Sequence, residues 1–417
     1  MLKILLNHVI ATMRKFLKTG ILVIFILSLL GCPPQPEIEK TEALIPLPER
    51  KIPFVSDDMP IDSLKAAIER SMEYLVRVPK EKAFSFGCRK FSAEYLVESL
   101  HIFLCLLNKI NDPQAFNRRV KEYFDFYKST GDDGRGKITY TGYYEPILDG
   151  SLVRTEEYRY PIYRKPDDLI TIDLSLFHPR FSGKKIVARY DNRKIVPYFN
   201  REEIDCKYKL ANKGLEIAWV SDPIDSFLLQ IQGSGRIRLQ DIRFLNVHYV
   251  ASNGRPYRSI GKLMIDEGII SREDVSIPAI RNYLKNQPQE MERIFNHNES
   301  YVFFEVVDRG PLGSIEVPLT PGRSIATDPC FFPKGALAFI STEKPIIDAS
   351  GKVIRWEEFS RLVMNQDAGG AIKGPGRADL FWGSGRYAEL AAGYMKQPGK
   401  LYFLVKKGYK YYGEIRG

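Results

Sequence analysis

The sequence predicts a mainly β chain carrying helices near its start and at mid-chain, and three observations lead there. From about 150 to 305, short β-branched and aromatic runs alternate with frequent turns. Helical spacing of apolar residues is confined to 62–124, to the stretch around 260–295, and to a short piece near 390. The last third returns to apolar strand-like runs, Phe359 to Met364 and Leu401 to Val405, on either side of a glycine-dense segment. At 417 residues the chain exceeds one small domain.

Residues 1–31 read as a targeting segment. Lys3, Arg14, Lys15 and Lys18 form a basic start without an acidic residue, and Ile21 to Leu30 is apolar but short for a membrane span. Met13 is an alternative start. Leu29-Leu30-Gly31-Cys32 then reads as a lipoprotein cleavage box, with Cys32 the lipid-bearing residue; an uncleaved anchor is the competing reading. Pro33 rather than an aspartate follows the cysteine, which favours the periplasmic face of an outer membrane. Residues 32–60, rich in proline among charges, are expected to be an extended tether.

The body is expected to open with helices at 61–147. Asp62 can cap a helix through Leu64, Ile68 and Leu75; Ser92 can cap another through Leu96, Leu100 and Leu107, with Cys105 in its core. Asp112-Pro113 begins a third by the cap-then-proline rule. After the turn at Gly131 to Gly136, Ile138 to Pro146 reads as a strand. Further strands are expected at Tyr158–Tyr163, Lys185–Tyr190, Leu215–Val220 and Phe227–Ile231, the last followed by a Gly-Ser-Gly hairpin. Helices follow from Ile260, from Ser276 or Pro278, and from Glu290 to Phe295. Tyr301 to Val307 then reads as a strand, and Ala388 to Tyr394 as helical.

Without the four basic residues of the targeting segment the net charge of +10 falls to about +6, which suits an anionic polymer, but no long basic block and no nucleic-acid motif stands out. The five cysteines include no Cys-x-x-Cys pair and the five histidines no close pair, so the pattern offers neither zinc site nor other metal centre. No cofactor is implied, and no disulfide pairing can be chosen.

The chemistry concentrates between Asp367 and Gly385. Two aspartates twelve positions apart bracket a glycine-rich stretch that can approach a ligand closely. Asp367 falls at a strand end or turn, and Asp379 precedes Leu380-Phe381-Trp382, where partial desolvation raises a carboxyl pKa toward what a general acid needs. The competing reading makes both aspartates turn caps.

The string Asp-x-Gly-Gly-Ala-Ile-x-Gly-x-x-Arg-x-Asp-x-Phe-x-Gly-x-Gly resembles the C-terminal signature of the membrane-bound lytic transglycosylase A family, whose members cleave peptidoglycan strands. Thr141-Gly142-Tyr143-Tyr144-Glu145-Pro146, Asp225 with Gln232-Gly233-Ser234-Gly235, and Asn253 to Lys262 resemble three further family strings, in order. The resemblance covers about Ile138 to Val405. It implies a discontinuous double-psi β-barrel formed by 61–147 and 308–417, a smaller β domain inserted at 148–307, and a groove between them. It implies Asp379 as the single catalytic acid, Asp367 and Asp225 as supporting residues, and Thr141, Tyr143, Tyr144, Gln232, Ser234, Gly370 and Lys373 as saccharide contacts. Its partners would be peptidoglycan strands and, through the N-terminal lipid, a membrane. Asp367 can tune Asp379 by like charge or hold its loop. Two rival functions remain: a peptidoglycan hydrolase in which Asp367 or Asp225 activates water, and a non-catalytic wall-binding lipoprotein.

Overall fold

The computed structural model describes residues 42–107 and 111–408. The expected leader, the expected lipid attachment at Cys32 and the start of the expected tether lie outside the described residues. From Glu42 onward the expected tether is corrected: it belongs to the body. Leu44–Pro46 pairs antiparallel with the strand Phe124–Ser129. Asp57 accepts two hydrogen bonds from Arg323, a side chain with no solvent exposure, at 2.5 and 2.8 Å. Asp58 likewise pairs with Arg361 at 2.7 and 2.9 Å. A buried guanidinium needs a paired carboxylate, so this proline-rich stretch cannot be a free spacer.

Three helices follow. Ile61–Arg77 starts after Pro60 without a side-chain cap, so Asp62 lies in its first turn rather than capping it. Ala93–Leu106 is capped by Ser92, and Pro113–Tyr123 by Asp112, as their cap signals predict. Cys105 faces out of its helix and not into the core; it, Cys88, Cys206 and Cys330 are all free thiols.

Six strands close into a barrel. Their order is Ile138–Glu145, Arg377–Ser384, Ser324–Ala326, Val353–Asp367, Leu337–Ile347 and Lys396–Lys406, which returns to pair with Ile138–Glu145. Ile138, Tyr140, Ile325, Leu362, Ala378, Leu380, Leu401 and Phe403 are fully buried within one cluster that extends under the N-terminal helices. Closure removes the open edges that a sheet of this size would expose.

The chain leaves the barrel at Pro146 and builds a six-stranded sheet in the order Val302–Val307, Phe244–Ser252, Ser234–Leu239, Ile147–Ser151, Glu216–Val220, Tyr160–Tyr163. A three-stranded sheet of Ile170–Asp173, Lys185–Asp191 and Lys194–Pro197 stands beside it. One expected strand is corrected. Phe227–Ile231 lies inside the helix Pro223–Gln232, which Asp222 caps and Gly233 ends in the left-handed region. The signals were present: Asp-Pro opens a helix, and a glycine at φ +79° closes one.

Candidate active site

The two aspartates are brought onto one rung of the barrel wall. Ala326 pairs with Asp367 on one side and with Asp379 on the other. Asp379 pairs in turn with Thr141, and Thr141 with Lys396. Residues opposed across strands present side chains to the same face. At about 4.8 Å per strand, the aspartate Cα atoms stand roughly 10 Å apart.

Asp379 is 9 % exposed. The Thr141 hydroxyl donates to its Oδ1, and Arg377 Nε donates to the same oxygen at 3.2 Å. Arg377 also donates to Thr141 Oγ1 at 3.1 Å and to the Ala371 carbonyl at 3.0 Å, which fixes its guanidinium between the barrel wall and the glycine-rich loop. Oδ2 makes no hydrogen bond among the described residues. Burial pushes the Asp379 pKa up; the Arg377 charge and the Thr141 bond draw it back without cancelling the rise. One carboxyl oxygen is thus anchored and the other is left for a ligand, in a group that holds its proton above the ordinary carboxylate range.

Asp367 ends its strand, as predicted, but is spent differently. Its Oδ1 accepts from the backbone N–H of Ser314 and of Ala368, each at 2.8 Å. Burial raises its pKa against the pull of those two bonds and of the Tyr143 hydroxyl. That hydroxyl is itself buried and forms no well-shaped hydrogen bond, although the Asp367 and Asp379 charges both act on it. The two backbone bonds tie Asp367 to the segments of Ser314 and Ala368, in keeping with the loop-holding role of the two left open.

Gly370 and Lys373 are exposed on the loop between the aspartates. That loop is pinned by Gly374 N–H to Asp328 and Gly376 N–H to Asp132, both at 2.9 Å. A side chain at Gly376 would meet the Asp132 carboxyl at 2.2 Å, which is why glycine stands there.

The remaining expected contacts sit where barrel and six-stranded sheet meet. Gln232 Oε1 accepts from the Tyr144 N–H at 3.1 Å, and Ser234 shares a 2.9 Å hydrogen bond with His248 Nδ1. Tyr144 is 4 % exposed and packs with Ala388, Ala392, Trp382 and Ile277, so its ring is closed to a sugar face. Asp225 is ion-paired to Arg281 at 2.5 Å, and Arg281 reaches Glu389 at 3.1 Å. Burial still raises the Asp225 pKa against that pairing. Thr141 and Tyr143 remain half-buried beside the aspartates.

Sequence reasoning missed Arg377, Arg281, Glu389 and His248. Arg377 was written into the quoted signature, and its spacing of two from Asp379 on a strand was signal enough to place both side chains on one face. The other three meet their partners across more than ten residues. Among the described residues no cluster of side chains could hold a metal ion, and no helix is long and apolar enough to cross a membrane.

Fold and site together define a six-stranded barrel protein with two aspartates, Asp367 and Asp379, on one rung of its wall. The family model for the MltA specific insert domain matches residues 139–305, and that for the 3D domain matches 323–405. Membrane-bound lytic murein transglycosylase A of Escherichia coli K12 is 32 % identical over 291 residues, 69 % of this chain and 71 % of that protein. The Vibrio cholerae protein of the same name is 30 % identical, over 66 % of this chain and 67 % of its own. The solved membrane-bound lytic murein transglycosylase of Agrobacterium tumefaciens superposes with a TM-score of 0.71 at 29 % identity, covering 87 % of this chain and 98 % of that one. The chain belongs to the membrane-bound lytic murein transglycosylase A family, and it is a peptidoglycan lytic transglycosylase.

Proposed function

We propose that Asp379 alone serves as acid and then base in cleaving the β-1,4 bond between N-acetylmuramic acid and N-acetylglucosamine. Its protonated Oδ2 donates to the glycosidic oxygen while the C1–O bond breaks, and the glucosamine residue leaves with that proton as its 4-hydroxyl. The charge at C1 is met by the substrate's own N-acetyl oxygen. The ionised Asp379 then takes the proton of the muramyl C6 hydroxyl as O6 attacks C1, which closes a 1,6-anhydro ring and restores the acid. No water is consumed.

The observation that supports this reading is the buried Asp379 carboxyl, its Oδ1 anchored by Thr141 and Arg377 and its Oδ2 without a hydrogen bond among the described residues. Glycoside hydrolases use two carboxylates, and a spacing of about 6.5–9.5 Å between carboxyl groups suits an inverting pair. Strand spacing alone would allow Asp367 that role. Its Oδ1, however, is held by two backbone N–H groups, and Asp225 is neutralised by Arg281. Asp367 is thereby tied to the Ser314 and Ala368 backbone and Asp225 to Arg281, which favours structural roles for both.

The groove is taken to run along the rung, between the barrel and an inserted module of residues 148–307, with Thr141, Tyr143, Gly370 and Lys373 along it. A structure of E. coli MltA contains chitohexaose, in keeping with a saccharide groove in that protein. Anchoring at the periplasmic face of the outer membrane through a lipid on Cys32 completes the proposal.

Digestion of purified sacculi with product masses tests it. The expected soluble muropeptides are lighter by one water than hydrolytic products. Products carrying the added water would replace the reading with a hydrolase, and sedimentation with sacculi without soluble release would leave a wall-binding lipoprotein.

A further inference from the structure

A pocket of about 240 Å³ lies outside the site just described, between the start of the body and the loop Pro329–Lys334. Its walls include Tyr74, Phe84, Phe331 and Phe332, and its cations are Lys82 and Lys334. Lys82 Nζ stands 5.7 Å from the Tyr74 ring centre and 5.6 Å from that of Phe84. It also donates to the Tyr74 hydroxyl at 3.4 Å. Lys334 Nζ reaches Ser314 Oγ at 3.2 Å. Neither ammonium forms an ion pair with a carboxylate among the described residues. Asp367 and Glu316 act on Lys334 only at longer range, while Lys82 repels it.

Two like charges gathered in one aromatic-walled pocket without a counter-ion make a site for an anion that carries some apolar surface.

The pocket is tied to the catalytic rung by two short routes. Lys334 holds Ser314, whose N–H holds Asp367. Asp328, one residue before the pocket wall begins, accepts from Gly374 in the loop between the aspartates. The substrate supplies a fitting group. Muramyl residues of peptidoglycan bear a short stem peptide with alanine methyl groups and a free terminal carboxylate. Four or five extended residues reach about 13–18 Å. That is enough to pass from a glycan on the rung beyond Asp367, about 10 Å from Asp379 by strand spacing.

We infer that this pocket receives the carboxylate end of a stem peptide on the strand being cleaved, with Lys82 and Lys334 as its cations. The inference rests on the peptidoglycan-cleaving function. It adds a specificity site at which the peptide contributes to binding and leaves the chemistry at Asp379 untouched.

The test compares the full-length wild type with Lys82→Gln, which removes one charge, and with Ala83→Trp, which fills the pocket from a wall residue. Each is assayed on peptide-bearing strands, on strands whose terminal carboxylates are amidated, and on strands stripped of peptides. Melting temperatures confirm that the variants fold. On peptide-bearing strands both variants should raise KM about five- to tenfold with kcat unchanged. The wild type should show the same rise on amidated strands. Equal KM values for wild type and variants on peptide-bearing strands would overturn the inference, as would an equal rise on stripped strands. A free tetrapeptide titrated against the proteins separates this site from the catalytic reading. Its binding by wild type and loss in Lys82→Gln would stand even if no anhydro product were released, whereas absence of binding by the wild type counts against the pocket alone.

Discussion

Asp379 stands directly opposite Thr141 in the parallel pairing of Arg377–Ser384 with Ile138–Glu145, and the Thr141 hydroxyl donates to its carboxylate. The register that closes the barrel therefore also sets the acid's orientation. Thr141→Val keeps the β-branched shape and removes the donor. Hydrogen bonds to charged groups contribute about 1.5–3 kcal/mol, so kcat/KM should fall at least about tenfold. Because that bond favours the ionised form, the alkaline limb of the pH profile should move to higher pH. An unchanged limb would show that Thr141 does not govern the acid.

Asp379→Asn can neither donate the acid proton nor take one back. Turnover on sacculi should fall by about a hundred- to ten-thousand-fold or more, while glycan binding, read by co-sedimentation, persists. Near-wild-type release of anhydro products would move the assignment to Asp367 or Asp225.

The same substitution should raise stability at neutral pH. A buried carboxyl whose folded pKa lies above its unfolded value of about 3.9 binds its proton more tightly in the folded state. Its contribution is fully present below that unfolded value and is lost as pH rises through the folded one. Asp379→Asn escapes this loss, so it should melt above the wild type at pH 7. The difference should shrink as the pH is lowered toward 4. A lower melting temperature at pH 7 would mean that the Arg377 and Thr141 contacts outweigh the burial.

Asp367→Asn retains an oxygen able to accept from Ser314 and Ala368. Activity should fall far less than in Asp379→Asn, with the pH profile unmoved. Asp367→Ala, which leaves both N–H groups without their acceptor, should lower the melting temperature and slow turnover by loosening the loop. A shift of the activity profile in Asp367→Asn would show charge coupling between the two aspartates instead.

Tyr144→Ala should destabilise by about 3–5 kcal/mol, the usual cost of emptying a buried aromatic site. Gln232→Ala leaves the Tyr144 N–H without its acceptor and should cost about 1–3 kcal/mol. Urea unfolding measures both. Wild-type stability with weakened glycan binding would return these residues to the groove.

Cys32→Ala should leave the protein unlipidated, read by mass and by partition between membrane and soluble fractions. No change in either would remove the lipid anchor.

Local chemistry made several elements legible from sequence. Ser92, Asp112 and Ser276 cap the helices expected to begin beside them because a cap is a hydrogen bond to a neighbour two or three residues away. Asp367 at a strand end and the strand from Ile138 follow from apolar pattern alone. The order of the four motif strings led to the family, and with it to the barrel and to Asp379 as the candidate acid.

Only the tertiary structure decided what surrounds that acid. Ala326, Thr141 and Asp367 reach the rung of Asp379 through strand pairings that span up to 238 residues. Register of that kind is set by closure of the whole barrel and leaves no local trace. The same holds for Asp57, which reads as part of a spacer until its pairing with the buried Arg323 is seen, and for Tyr144, which the resemblance makes a saccharide contact until its burial is seen. Sequence periodicity shows which face a side chain takes; what covers that face depends on segments far away in the chain.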